Sequence, residues 1–340
     1  MAIHIIKSWN NESKSIFKKI NEIIYTLLTL LFGLYYPFLI IRFGKDHPGV
    51  LFPTAVEELT FLGNVFIVGV MLCVFGWGLS AKIRTIRNPE LLKEQNNYEV
   101  FCKKFLEEFP TRSKYKRKIT HILPVVVVTS CILIFYFLTF LNGAWIDYAL
   151  FFVIIIGVDF ALTFLLQDII RLFDFSFMPP KVIGWCAAGL TPDELDSFSS
   201  TSVMVFSFGP FLFFSFPIFY IVILITSVAE AMASIFGIYA ANKGFEHKFP
   251  GDSCKTIEGY IGGTIFTFIC VIFAITLSNL LNLSDISFEL TLGLALLLSI
   301  EFFLIDFLTS KIELQDNYLN PFIMGISSIL YLMIFNLPIL

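Results

Sequence analysis

The sequence predicts an all-α, polytopic integral membrane protein of about nine transmembrane helices, and three observations carry that expectation. Of 340 residues, 57% are hydrophobic, 41 are Phe and only 15% are charged, with a mean hydropathy of +0.82. Apolar stretches of about 20 residues recur, each long enough to cross a ~30 Å hydrocarbon core. The stretches are continuous and lack the alternation that the strands of a membrane β-barrel need.

The elements follow in order. The opening MAIHIIKSWNNESKSIFKKI has no clean apolar centre and no small-residue cleavage site, so it does not read as a signal peptide. Its Ile, Trp and Phe alternate with Lys, the pattern of a segment lying along a membrane surface. Spans are then predicted at roughly 23–41, 59–79, 121–141, 147–166, 202–214, 216–239, 258–278, 288–307 and 320–338. The pair within 202–239 depends on FGPFLFFSFP, where Gly209, Pro210 and Pro217 break one apolar run into two.

Basic residues arbitrate the topology. With nine spans and a cytoplasmic N-terminus, 21 of the 23 Lys and Arg fall inside, leaving only Arg42 and Lys45 outside. Merging the ambiguous pair would send Lys243, Lys248 and Lys255 outward. The inside loops are also the polar ones, so any chemistry is expected at the cytoplasmic face. Residues 1–100 read as an N-terminal extension with two transmembrane helices, and 101–340 as a membrane-embedded helical domain without the internal repeats of a transporter. The six cysteines show no CxxC spacing and read as packing residues.

Four clusters carry chemistry. In RSKYKRKITHILP, a helix beginning before Arg117 sets Arg117 and His121 four apart on one face. Such a run also anchors a helix to anionic head groups. In AEAMASIFG, Ala229, Ala233 and Gly237 form a small-residue stripe for close helix contact, and Glu230 and Ser234 form the adjacent stripe. An intramembrane Glu requires a polar cavity, a cation, a metal or a hydrogen-bonded helix partner. The following loop supplies Lys243, Lys248 and Lys255, and Thr256 and Glu258 open the next span. Lysine and threonine at a helix N-terminus make a phosphate cradle, although GxxxxGK[ST] is not present. In LQDNYLNPF, Asp316 is a helix-capping or loop acid on its own terms. Glu301 and Asp306 lie inside the eighth span, Glu301 deep enough to need a partner. Finally, Asp168 and Arg171 are spaced to pair, and TPDE reads as a helix start with Thr191 as N-cap, Pro192 at N1 and Glu194 at N3. That fourth segment is expected to be an amphipathic connector.

These stretches together resemble the CTP-dependent polyprenol kinase family, which includes dolichol kinase, phytol kinase and a related diacylglycerol kinase. The family pattern GDxxASxxG is answered by Ala229, Glu230, Ala233, Ser234 and Gly237, with Ala-Glu in place of Gly-Asp. The pattern K[ST]xEG is met by Lys255, Thr256, Glu258 and Gly259, RKxxH by Arg117, Lys118 and His121, and DNxxxP by Asp316, Asn317 and Pro321. The resemblance covers about residues 117–325 and implies an enzyme using CTP and Mg²⁺.

The function so implied is phosphoryl transfer from CTP to the hydroxyl of a polyprenol or related lipid alcohol. Glu230, Asp316 and His121 would be catalytic, with Glu230 and Asp316 also metal ligands. Arg117, Lys118, Ser234, Lys243, Lys248, Lys255, Thr256, Glu258 and Asn317 would hold the nucleotide phosphates. The partners would be CTP and a membrane lipid, with no nucleic acid. Two alternatives stand beside it: a phosphatidate cytidylyltransferase making a CDP-lipid, and a non-catalytic or transport protein.

Overall fold

The computed structural model describes residue 9 and residues 14–45, 55–94, 96–108, 114–138, 145–248, 255–312 and 314–337. Among them the chain is helical, without strands. In order the helices are α1 (Ile16–Lys45), α2 (Ala55–Arg87), α3 (Pro89–Glu94), α4 (Tyr98–Glu108), α5 (Lys114–Phe137), α6 (Trp145–Phe173), α7 (Pro180–Gly189) and α8 (Ser200–Phe208). They continue as α9 (Phe216–Lys243), α10 (Ile257–Leu280), α11 (Phe288–Ile312) and α12 (Asp316–Ile334).

Among the described residues, six segments are long and apolar enough to cross a membrane: Phe61–Arg87, Trp145–Phe173, Phe216–Lys243, Ile257–Leu280, Phe288–Thr309 and Asp316–Ile334. His121–Phe137 and Ser202–Phe213 are shorter apolar helices. The break expected between 202 and 239 is present. After Phe208 the chain tightens into a 3₁₀ turn at Gly209–Phe213, and Ser215 is extended before α9 restarts at Phe216. Pro217 falls in the first turn of α9, where its missing N–H costs no helix bond. The last span begins earlier than predicted, so DNYLNP forms the opening turns of α12 rather than a loop. Most of the N-terminal surface segment lies outside the described residues, as do 142–144 and 249–254.

Two compact units divide the chain. The first takes the described residues up to Leu39, His121–Thr129 of α5, and Val203–Leu340. Its centre is a closed ring in which α9 packs on α10, α10 on α11, α11 on α12 and α12 back on α9. The small residues decide how closely α9 and α10 approach. A Cβ on Gly259 would stand 3.0 Å from the Ala233 carbonyl oxygen and 3.8 Å from Gly237 Cα. The stripe of Ala233 and Gly237 is therefore a helix-contact surface, matched by Gly259 on the facing helix. From α1, Asn21 and Tyr25 meet Tyr318, whose hydroxyl donates to Asn21 Oδ1 at 2.8 Å.

The second unit comprises Ile40–Thr120 and Ser130–Ser202. Here α2 packs on α6, with Gly63 close against Phe151 and Ile155. The predicted Asp168–Arg171 pair forms at 2.9 Å with both side chains fully buried. Arg171 also donates to the carbonyls of Glu194, Leu195 and Ser197, and Asp168 accepts from the backbone N–H and hydroxyl of Ser199. The segment after TPDE is thus folded onto α6 by one buried cation. Thr191 N–H and hydroxyl both donate to the Glu194 carboxylate, at 2.9 and 3.0 Å, the capping reading made physical in a single 3₁₀ turn, Pro192–Glu194.

Candidate functional site

The site begins with a defect in α9. Ile225–Ala229 form a π turn, so the Glu230 N–H reaches back five residues to the Ile225 carbonyl. One extra residue in a turn rotates everything after it, and such turns concentrate at functional positions. Here it presents Glu230 inside the unit, with only 6% of its surface exposed. Glu230 Oε1 lies 4.0 Å from Nδ1 of His121, itself buried on α5. Both sequence candidates are brought together.

Lys255 supplies the second half. It directly precedes Thr256, the N-cap of α10. Its ammonium bonds the Asp306 carboxylate near the end of α11 and lies 3.5 Å from Oδ2 of Asp316, the first residue of α12. Burial works against the ammonium, but the Asp316 and Asp306 carboxylates outweigh it, with Glu230 adding to them, and hold Lys255 above its ordinary value. Lys255 is therefore a fixed cation facing three acids contributed by three different helices.

The remaining candidates separate. Asn317 is buried, and its Oδ1 has no hydrogen-bond partner among the described residues. Thr256 spends its hydroxyl oxygen on the helix, accepting from Gly259 N–H at 3.1 Å. Glu258 is a loop staple: its carboxylate meets His247 Nδ1 at 2.6 Å and accepts from the His247 backbone N–H at 3.2 Å. Lys243 is exposed in the last turn of α9, and Lys248 is exposed 3.9 Å from Glu246. Lys255 is the loop lysine seen to reach Asp306 and Asp316 among the described contacts. Ser234 is half-buried on α9. Arg117 and Lys118 lie on α5 with their side chains outside the described residues.

Asp306 was not assigned a role from sequence, and neither were two buried polar groups of the same unit, Asn320 and Ser227. Asp306 was legible as an intramembrane acid, but its pairing with Lys255 needs α10 packed on α11. Asn320 stands four residues after Asp316, on the same helix face, a spacing available in the sequence. Ser227 lies in a continuous apolar run and gave no signal. Glu301 has the partner its depth called for, the Ser327 hydroxyl donating at 2.8 Å.

Asp306 and Asp316 carry oxygen donors of the kind that could hold a hard divalent ion. Asp306 and Asp316 converge on one ammonium, giving carboxylate oxygens about a common point. Mg²⁺ is ordinarily held by one or two carboxylates together with substrate phosphates. No group of three His, Cys, Asp or Glu forms a closed cage among the described residues, so the remaining ligands would come from substrate and water.

Fold and site define a class: a helical chain compatible with multiple membrane passes, carrying a partly buried cluster of acids around one lysine. Comparison with family models, curated proteins and solved structures found no match.

Proposed function

We propose that the chain is a CTP-dependent lipid kinase, transferring the γ-phosphoryl group to the hydroxyl of a polyprenol-like alcohol. In this reading it crosses the membrane nine times, with its N-terminus and site at the cytoplasmic face. The observation that carries it is the meeting of Lys255 with Asp306 and Asp316. That contact joins the KTxEG stretch to the DNxxxP stretch, and Glu230 of the small-residue stretch stands within electrostatic reach.

Each residue then has a task. The lipid oxygen attacks the γ-phosphorus, a new O–P bond forms, the β,γ-bridging bond breaks and CDP leaves. The alcohol proton passes to a carboxylate, Glu230 or Asp316. Lys255 turns its charge toward the phosphates, and His121 orients Glu230. Asp306 and Asp316 would hold Mg²⁺, which supplies charge neutralisation at the phosphates. Positioning and charge neutralisation are most of what phosphoryl transfer demands.

Labelled CTP with purified protein and a panel of prenols, phytol and diacylglycerol tests the reading. Label from the γ-position appearing on lipid supports it. Label from the α-position, with pyrophosphate released, overturns it in favour of CDP-lipid synthesis. No transfer of either kind leaves a non-catalytic or transport role.

A further inference from the structure

The first turns of α12 collect oxygen acceptors without donors. Asn320 is fully buried, and neither its Oδ1 nor its Nδ2 has a hydrogen-bond partner among the described residues; the Oδ1 of buried Asn317 is in the same position. Pro321 has no N–H to give the Asn317 carbonyl four residues earlier, which frees a further oxygen. A buried polar group left without a partner forfeits on the order of 1–3 kcal/mol, so their concentration in two turns calls for a common cause.

Helix register sets Asn320 at the acids. Asp316 and Asn320 are four apart on α12, neighbours on one face. A helical side chain leans back over the turn N-terminal to its own Cα, so the Asn320 amide is directed toward the level of Asp316. The same face meets α11, because Ser327, two turns further on, donates to Glu301 at 2.8 Å, and the Tyr331 hydroxyl donates to the Leu290 carbonyl at 3.0 Å. Those contacts make the two helices antiparallel. Seven residues back from Ser327 to Asn320 then match seven forward from Glu301 to Leu308, within one turn of Asp306. Lys255, bonded to Asp306 and 3.5 Å from Asp316, shows that the two carboxylates share this corner.

We propose that the Asn320 amide oxygen is a third protein ligand, beside the Asp306 and Asp316 carboxylates, for one divalent cation. The inference deepens the proposed function and rests on its reading that those two acids hold Mg²⁺. Charge favours a cation here over an anion. Asp306, Asp316 and Glu230 bear on the single Lys255 ammonium, which leaves the corner net negative even with His121 protonated. All the unmatched groups except Asn320 Nδ2 are acceptors, and a hard cation satisfies acceptors. An amide oxygen adds a ligand without adding a further negative charge, and Nδ2 is left to donate to a water or phosphate oxygen on the ion.

The test is Mn²⁺ binding to the full-length protein in nanodiscs of zwitterionic lipid, without nucleotide. The paramagnetic resonance signal of the free ion reports it, with Mg²⁺ as competitor. Wild type is expected to bind Mn²⁺ that Mg²⁺ displaces. Asn320→Leu should weaken that binding by roughly tenfold or more, since losing even a group that only touches a ligand costs as much. Asn320→Asp adds a charged oxygen and should tighten it, whereas an asparagine with a structural role alone would give no gain with Asp. No displaceable Mn²⁺ in wild type, or an affinity that neither substitution moves, overturns the ligand. So does an Asn320→Leu variant that keeps its Mn²⁺ affinity but loses binding of inorganic phosphate. Where Asn320→Leu does not fold, the near-isosteric Asn320→Asp decides by the sign of its effect. Mn²⁺ binding that depends on Asn320 in a protein without CTP-dependent transfer would sink the kinase reading and leave the ligand standing. Transfer with a Mn²⁺ affinity indifferent to Asn320 would do the reverse.

Discussion

The ammonium of Lys255 lies 3.5 Å from Oδ2 of Asp316 while bonding the Asp306 carboxylate, so one side chain ahead of α10 ties down the end of α11 and the start of α12. Asp306 is buried, and Lys255→Met takes away the cation it bonds. Lys255→Met should destabilise the protein by about 3 kcal/mol. Adding Asp306→Asn should recover a large part of that loss, which a double-mutant cycle on thermal unfolding in detergent measures.

Two ion pairs predict opposite pH behaviour. The folded value of Lys255 is raised, so its stabilisation is fully present below about pH 10 and is lost only as pH rises through the folded value. The stability difference between wild type and Lys255→Met should stay constant from about pH 6 to about pH 9. For Asp174 burial pushes upward, but hydrogen bonds from Lys82 and Ser176 prevail and hold the carboxyl below its usual range. Its contribution is present above about pH 4 and is lost as pH falls through the lower folded value. Acid unfolding of Lys82→Met should therefore begin at higher pH than that of wild type.

Glu230→Gln keeps the shape of the buried side chain while removing its charge. In the proposed reaction it should lower CTP-dependent lipid phosphorylation by about 10²-fold or more, with the unfolding temperature little changed. Unchanged activity would remove Glu230 from the chemistry.

Gly259 has backbone on its near side, with the Ala233 carbonyl 3.0 Å from where a Cβ would sit. Gly259→Val should force α9 and α10 apart and cost about 1–3 kcal/mol. Gly184, with nothing near its Cβ position, serves as control: Gly184→Ala should be neutral or slightly stabilising in the same unfolding assay.

Arg171 reaches one carboxylate and three carbonyls with a planar fork. Lysine cannot reproduce that pattern. Arg171→Lys should loosen residues 191–199, and limited proteolysis should cut there first, while Lys181→Arg on the exposed face of α7 leaves the cleavage pattern unchanged.

Much of this was legible in advance where the physics is local. The break before Phe216, the Thr191–Glu194 capping contacts and the Asp168–Arg171 pair all depend on residues within a few positions of one another. Lys243, Lys248, Thr256 and Glu258 also formed a coherent cluster in sequence. Side-chain directions then separated them: Thr256 turns back to cap its helix, Glu258 turns to His247, and Lys243 and Lys248 stay at the surface.

The sequence by itself determined the helical class and singled out Glu230, Asp316 and Lys255 among several candidate charges. Hydrophobic length and local capping are properties of contiguous residues. Only the tertiary structure decided which of those charges meet. Lys255, Asp306 and Asp316 come together through the α9–α12 ring, and a π turn aims Glu230 into the same unit. It also exposed Ser227 and Asn320 as buried groups lacking partners among the described residues. Whether a polar atom is satisfied depends on every segment packed around it, and no single stretch of chain carries that information.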